Sequence, residues 1–141
     1  MRRTTIAALL AGGPQPGRAG VALADRTVYF ADLWRLTLPD GVEYAITRER
    51  GRKVLRSGWP GRVLLPFGVR PVAHTHPPDE VGFVDTLPSV ADIDALNVVW
   101  RFAPAGPRPA GQVVWGSSEG ETTTFRATGL DRIGRPRRVP R

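Results

Sequence analysis

Apolar and polar positions change rhythm several times along the chain, and each change marks an element. From Ser89 onward Ile93, Leu96 and Trp100 recur at helical spacing through SVADIDALNVVW, which predicts a helix. Upstream, GVEYAITRER and VLRSGW read as two strands joined by a tight turn at GRK, and VRPVAHTHP reads as a strand stopped by Pro77-Pro78. A second hairpin is predicted over QVVWGSSEGETTTFRAT, with SSEG at its turn. In VALADRTVYFADLWRLTL, Val28, Phe30, Trp34 and Leu36 share one register, while Tyr29, Ala31 and Leu33 occupy the other. The period is therefore silent, and the aromatic and β-branched content predicts a strand. GRVLLPF reads as a further short extended run, and Pro39-Asp40-Gly41 as a turn.

Between these elements lie the breaks. Residues 79–87, DEVGFVDTL, carry no helical stripe and sit between Pro77-Pro78 and Pro88, so they read as a loop or lid. FAPAGPRPAG is an irregular connection after the helix, and residues 12–20 form a Gly/Pro linker behind a short amphipathic helix at the start of the chain. Runs of antiparallel hairpins with few helices predict an α+β domain rather than a doubly wound sheet. The expected organisation is a short N-terminal helix and linker over 1–20, one folded domain over 21–125, and a tail over 126–141.

Composition agrees with many turns: 16 Gly and 14 Pro in 141 residues. The formal charge of +7 is unevenly placed. Residues 126–141 hold six arginines against Asp131, leaving 14 basic and 12 acidic side chains elsewhere. The folded part is thus near balance, and the Arg-rich end reads as a flexible tail with little apolar content to bury. With no cysteine, disulfides, zinc-thiolate sites and cysteine nucleophiles are excluded. The opening MRRTTIAALLAGG mimics a signal peptide, but lacks an A-x-A cleavage site, and no segment approaches the roughly 20 apolar residues of a membrane span. The expectation is a soluble protein, cytoplasmic or exported by a route needing no signal peptide.

The chemistry-bearing residues cluster in one stretch. His74 and His76 are the two histidines of the chain, and in a strand residues i and i+2 point to the same face. Both imidazoles can therefore aim at one point. Neutral imidazoles suit Zn²⁺, and a third carboxylate ligand with one position left open makes such a site catalytic. Asp92, on the first turn of the predicted helix, is the natural carboxylate. Ser89 and Asp92 are also accounted for as helix caps, with Ser at the cap and an acid three residues on.

His74-Thr75-His76-Pro77 followed by Ser89-Val90-Ala91-Asp92 resembles the signature of the JAB/MPN metallopeptidases, a distant Glu, then His-x-His-Pro, then Ser-x-x-Asp. The resemblance spans residues 42–125 and implies an antiparallel sheet with a central helix in a cytidine-deaminase-like layout. It implies zinc on His74, His76 and Asp92, a Glu as general base, and Ser89 as oxyanion donor. Glu43, opening a predicted strand, is the carboxylate carried over as base; Glu49, at the hairpin turn among basic neighbours, is the weaker choice. The substrate implied is a polypeptide or isopeptide-linked protein. The 12 residues between His76 and Ser89, with the closing hairpin, resemble the divergent JAB-like domains of bacterial polymorphic and Rhs-type toxins. That branch implies an immunity or carrier protein as partner. Two other readings stay open on the residues alone. One is a basic nuclease holding phosphates through its Arg-rich tail and the Lys53 region, against which stand the near-balanced folded part and the lack of a clear aromatic-basic face. The other is a JAB-like binding module without catalysis.

Overall fold

The computed structural model describes residues 20–23, 29–66, 69–102, 108–117, 121–127 and 129–134, the last six by backbone alone. Among them the chain forms β1 (Val21–Ala22), α1 (Phe30–Asp40), β2 (Tyr44–Glu49), β3 (Arg52–Ser57) and β4 (Arg70–Thr75). It continues with α2 (Val90–Phe102), β5 (Ala110–Val114), β6 (Thr122–Arg126) and β7 (Gly129–Gly134). The strands form one sheet of order β1-β3-β2-β4-β5-β6-β7. Every pairing is antiparallel except β4 with β5, and the connection between those two carries α2. The α+β expectation holds.

Alternation along the central strands sorts side chains into two layers. Tyr44, Ile46, Leu55 and Ala73 meet on one face through the pairs Ile46–Leu55 and Ile46–Ala73, and α1 packs there with Phe30, Leu33, Trp34 and Leu36. On the opposite face Val113 and Phe125 gather under Leu96 of α2, with Ile93, Trp100 and Trp115 around them. Val113 and Val114 are neighbours that serve different layers. This is why the middle strands are apolar in both registers.

Pro71 survives inside β4 because a bulge lies there: Ile46 faces Ala73 and the next residue, Thr47, faces Pro71, so Val72 is the extra residue. The β2–β3 turn is made by Arg50 and Gly51, at φ 51° and 76°. Two positive-φ residues match the twist of a two-residue hairpin. The turn therefore falls earlier than the GRK reading placed it, and Arg52 and Lys53 already belong to β3.

Three expectations need correction. The strand predicted for VALADRTVYFADLWRLTL is present at Val21–Ala22, but from Phe30 the chain is helix α1. Its buried residues Phe30, Leu33, Trp34 and Thr37 are a helical stripe, and burying that stripe on the sheet outweighs the β propensity of its aromatics. The helix starts without a Ser or Thr cap: Asp32 accepts the Tyr29 amide at 3.0 Å. It ends at Gly41, whose φ of 63° no β-carbon hinders. The GRVLLPF run makes no strand among its described residues; Trp59 and Arg62 form an isolated bridge, and Leu64 is exposed. Finally, Gly129–Gly134 of the expected tail is a strand paired with β6, where a free edge offers backbone partners that composition does not reveal. The helix expected near the start and residues 135–141 lie outside the described residues. No described helix is long and apolar enough to cross a membrane.

Gly111 tests the packing of the layer under α2. A β-carbon there would stand 2.8 Å from the Phe125 ring, which is itself 1 % exposed. Gly111→Ala is expected to destabilise the fold by about 1–3 kcal/mol, read by urea denaturation. An unchanged midpoint would mean that Phe125 is not packed as described.

Candidate metal centre

Strand β4 delivers both histidines. Its backbone ladder extends past Thr75, since the His76 amide donates to the Val114 carbonyl at 3.1 Å. The i, i+2 alternation is thereby preserved, and His74 and His76 face the α2 side at 6 % and 9 % exposure. Their Nε2 atoms are 3.1 Å apart. Asp92 completes the group from α2, with Oδ2 at 3.0 Å from Nε2 of His74 and 3.6 Å from Nε2 of His76. His74, His76 and Asp92 are the group of potential metal ligands found among the described residues.

The cap and the site share atoms. The Asp92 amide donates to Ser89 Oγ at 3.1 Å, and the Ser89 amide donates to Asp92 Oδ2 at 2.7 Å. This reciprocal box starts α2 and fixes the Asp92 carboxylate, whose same oxygen points at the histidines. The bond to Ser89 uses an oxygen lone pair, so the hydroxyl proton remains able to donate.

His76 is oriented from behind. Its Nδ1 donates to the Asp85 carbonyl at 2.8 Å, which leaves Nε2 with a lone pair directed at the common point. The 79–87 segment expected as a loop is one, and through Asp85 it touches a site residue. His74 packs edge-on to Phe125, at 6.1 Å between ring centroids.

Glu43 immediately precedes β2. The register pairs Ala45 with His74, and the same register continued places Glu43 opposite His76, on the same face. Backbone bonds of Glu43 to Trp59 and Gly58, 3.0 and 2.8 Å, hold its main chain. The residue is 8 % exposed. Burial, reinforced by the Asp92 charge and opposed by both histidines, pushes its carboxyl up from 4.5 to about 7. Asp92 goes the other way. Burial by itself would raise it, but the two histidines beside it, His74 above all, and the bond from the Ser89 amide outweigh that and hold it well below the usual carboxylate range. Burial opposes charge on His76, yet the Asp92 carboxylate beside it and its bond to the Asp85 carbonyl raise its pKa.

Glu49, the weaker base candidate, is engaged elsewhere. Arg56 grips it with Nη2 at 2.6 Å and Nε at 2.9 Å, and Thr47 donates to it as well. The guanidinium holds this carboxyl below its ordinary value, which is unsuited to taking up a proton. The structure thus brings Glu43, His74, His76, Ser89 and Asp92 to one end of the sheet and sets Glu49 apart in an ion pair.

Sequence reasoning did not single out Thr37 and Thr75. Both are fully buried on the α1 face, where Thr75 lies between the two histidines in sequence. Thr37 Oγ1 donates to the Val42 carbonyl at 2.7 Å, so the short bond between the two hydroxyls takes its proton from Thr75. Thr75 in turn accepts the Tyr44 amide at 3.0 Å. This chain clamps both neighbours of Glu43 to the histidine strand and to α1. The signal in the sequence was a polar residue at an inward position of a buried strand.

Comparison of the chain with protein-family models, with curated proteins and with solved structures finds no match.

Two outcomes follow. Thr75→Val keeps the volume but leaves the Tyr44 amide without its partner; it should cost about 1–3 kcal/mol, with Thr75→Ser recovering most of it, read by chemical denaturation. In the metal-free protein Glu43 binds its proton more tightly folded than unfolded. Its contribution therefore lowers stability as pH rises from 4.5 to about 7 and stays lost above. Glu43→Gln should remove that fall and exceed wild type at pH 8 by up to roughly 2–3 kcal/mol, while the two match near pH 4. Parallel stability curves would show that Glu43 is not desolvated as described.

Proposed function

We propose that the chain is a zinc-dependent hydrolase of the JAB/MPN type, cleaving an amide or isopeptide bond. The observation that carries this reading is the convergence of three donor atoms at separations of 3.0, 3.1 and 3.6 Å. Zinc–nitrogen and zinc–oxygen bonds of about 2.0–2.1 Å set tetrahedral ligands roughly 3.3 Å apart, so the triangle has the size of one tetrahedral face. The donor set fits too: the proton of His76 is committed to Nδ1, and a carboxylate joins two imidazoles, leaving a fourth position for water or substrate.

A zinc ion held there supplies Lewis acidity, polarising a carbonyl and lowering the pKa of a water toward neutrality. Glu43, with its carboxyl raised to about 7, is matched to accept a proton from water near neutral pH and to return it to the departing amine. Ser89 donates its hydroxyl proton to the carbonyl oxygen as negative charge develops on it. Asp92 stays ionised under all these conditions and balances the cation. Placement among toxin-associated processing domains rests on the long His76–Ser89 insert and the β5–β6 hairpin. An immunity or carrier protein is the partner that placement brings with it.

Zinc content of the purified protein, measured by mass spectrometry and chelator competition, tests the centre. One zinc per chain is expected, and His76→Ala should weaken affinity by more than the roughly 10–100-fold that loss of an outer partner costs. Activity is read on libraries of quenched peptides and acyl-lysine isopeptides. Glu43→Gln should retain zinc and lose on the order of 10²–10⁴-fold in rate. Absence of zinc under replete conditions sinks the proposal, as does cleavage of nucleic acid without cleavage of any amide.

A further inference from the structure

The insert between His76 and α2 displays apolar side chains that the fold does not use. Val81 is 88 %, Phe83 67 %, Leu87 49 % and Val90 77 % exposed. They are held rather than floppy. Asp79 Oδ1 accepts the amides of Val81 and Phe83 at 2.9 and 2.8 Å, the Asp79 amide donates to the Phe83 carbonyl at 2.8 Å, and Asp85 Oδ1 accepts the Leu87 amide at 3.0 Å. A rim whose backbone is fixed in advance loses little freedom when something docks on it. It also borders the metal centre. The Asp85 carbonyl bonds His76, and Val90 stands on the helix turn between Ser89 and Asp92.

Charge names the occupant. Residues 71–100 contain five acidic side chains and no lysine or arginine, whereas the rest of the chain holds all 20 basic side chains against eight acidic ones. Glu80 and Asp94 are exposed within this acidic stretch. At this end of the sheet Arg62 is a cation, and it stacks on the Trp59 ring at 5.0 Å. An apolar surface with an acidic border complements side chains that are apolar and basic, and it repels phosphates.

We propose that the 79–90 rim is the docking surface for a polypeptide segment rich in apolar and basic residues, which it presents to the metal centre. The assignment rests on the hydrolase reading for its consequence, but its binding step can be measured alone. It also runs against the molecule's overall charge. A chain of formal charge +7 attracts acidic peptides and oligonucleotides in general, so a preference for a basic peptide must come from a local surface.

The experiment titrates the full chain, zinc-loaded and metal-free, with fluorescein-labelled short peptides of Leu/Arg, Leu/Glu and Ser/Arg composition and with a single-stranded oligonucleotide. Amide shifts locate each contact. Leu/Arg should bind at least about ten-fold tighter than Leu/Glu or Ser/Arg, with its shifts concentrated at residues 79–90. Phe83→Ser and the pair Glu80→Lys with Asp94→Lys should each weaken it by about ten-fold without moving zinc affinity. The proposal is overturned if Leu/Glu or the oligonucleotide occupies the rim as tightly, or if those variants leave Leu/Arg binding unchanged. Self-association abolished by Phe83→Ser would overturn it too, by giving the surface to a second copy. Selective Leu/Arg binding on a chain that takes no zinc leaves the rim in place and removes the hydrolase reading. Zinc binding and amide cleavage without that selectivity remove the rim alone.

Discussion

Strand β4 is buried on both faces, and most of what distinguishes this protein follows from that constraint. Odd positions, Ala73 and Thr75, belong to the layer under α1; even positions, His74 and His76, belong to the side that α2 covers. One strand therefore serves a hydrophobic core and a polar centre without mixing them. The price is that a slip of one residue would exchange the two sets completely. The bulge at Val72 and the continued ladder from His76 to Val114 pin the register on either side of the histidines.

Polar pieces are reused across levels of structure. The Ser89–Asp92 box starts α2, and its carboxylate oxygen also contacts His74, so the helix cannot begin elsewhere without dismantling the centre. Thr75 does the equivalent on the reverse of β4. Its hydroxyl ties the Tyr44 amide to Thr37 and, through it, to the Val42 carbonyl, so the segment carrying Glu43 is set by contacts on the face opposite the one Glu43 uses. The arrangement of Glu43 with respect to His76 is then a property of the whole α1–β2–β4 unit, which distributes the cost of holding a desolvated carboxyl beside other ionisable groups.

How much of this was legible depends on the range of the interaction. His74, His76, Ser89 and Asp92 declare themselves locally, because strand alternation and helix capping act over two to four residues. The β2–β3 hairpin was legible for the same reason, apart from a turn displaced onto Arg50-Gly51. Glu43 could be chosen but not placed, since the histidines lie more than 30 positions away and only the pairing of β2 with β4 brings them near. Helix α1 was hidden by its own composition: Phe30 and Trp34 favour strands, and their spacing with Leu33 and Thr37 becomes decisive only once a sheet is there to bury them. Strand β7 was hidden by the Arg-rich composition of the segment that holds it, for backbone pairing along β6 does not require apolar side chains.

The two carboxyls of the centre receive opposite treatment from one environment, and this is where its chemistry is decided. Burial raises both. Asp92 escapes because it touches His74 and the Ser89 amide, contacts that are stronger to a charged acceptor than to a neutral one. Glu43 reaches the histidines through space, with no bond to them strong enough to offset the loss of water. A ligand must be ionised at neutral pH and a base must be able to gain a proton there, and the fold separates these requirements by what each carboxyl touches. Glu49 marks the contrast within the same sheet: paired with Arg56, it is fixed in its charged form and can serve neither role.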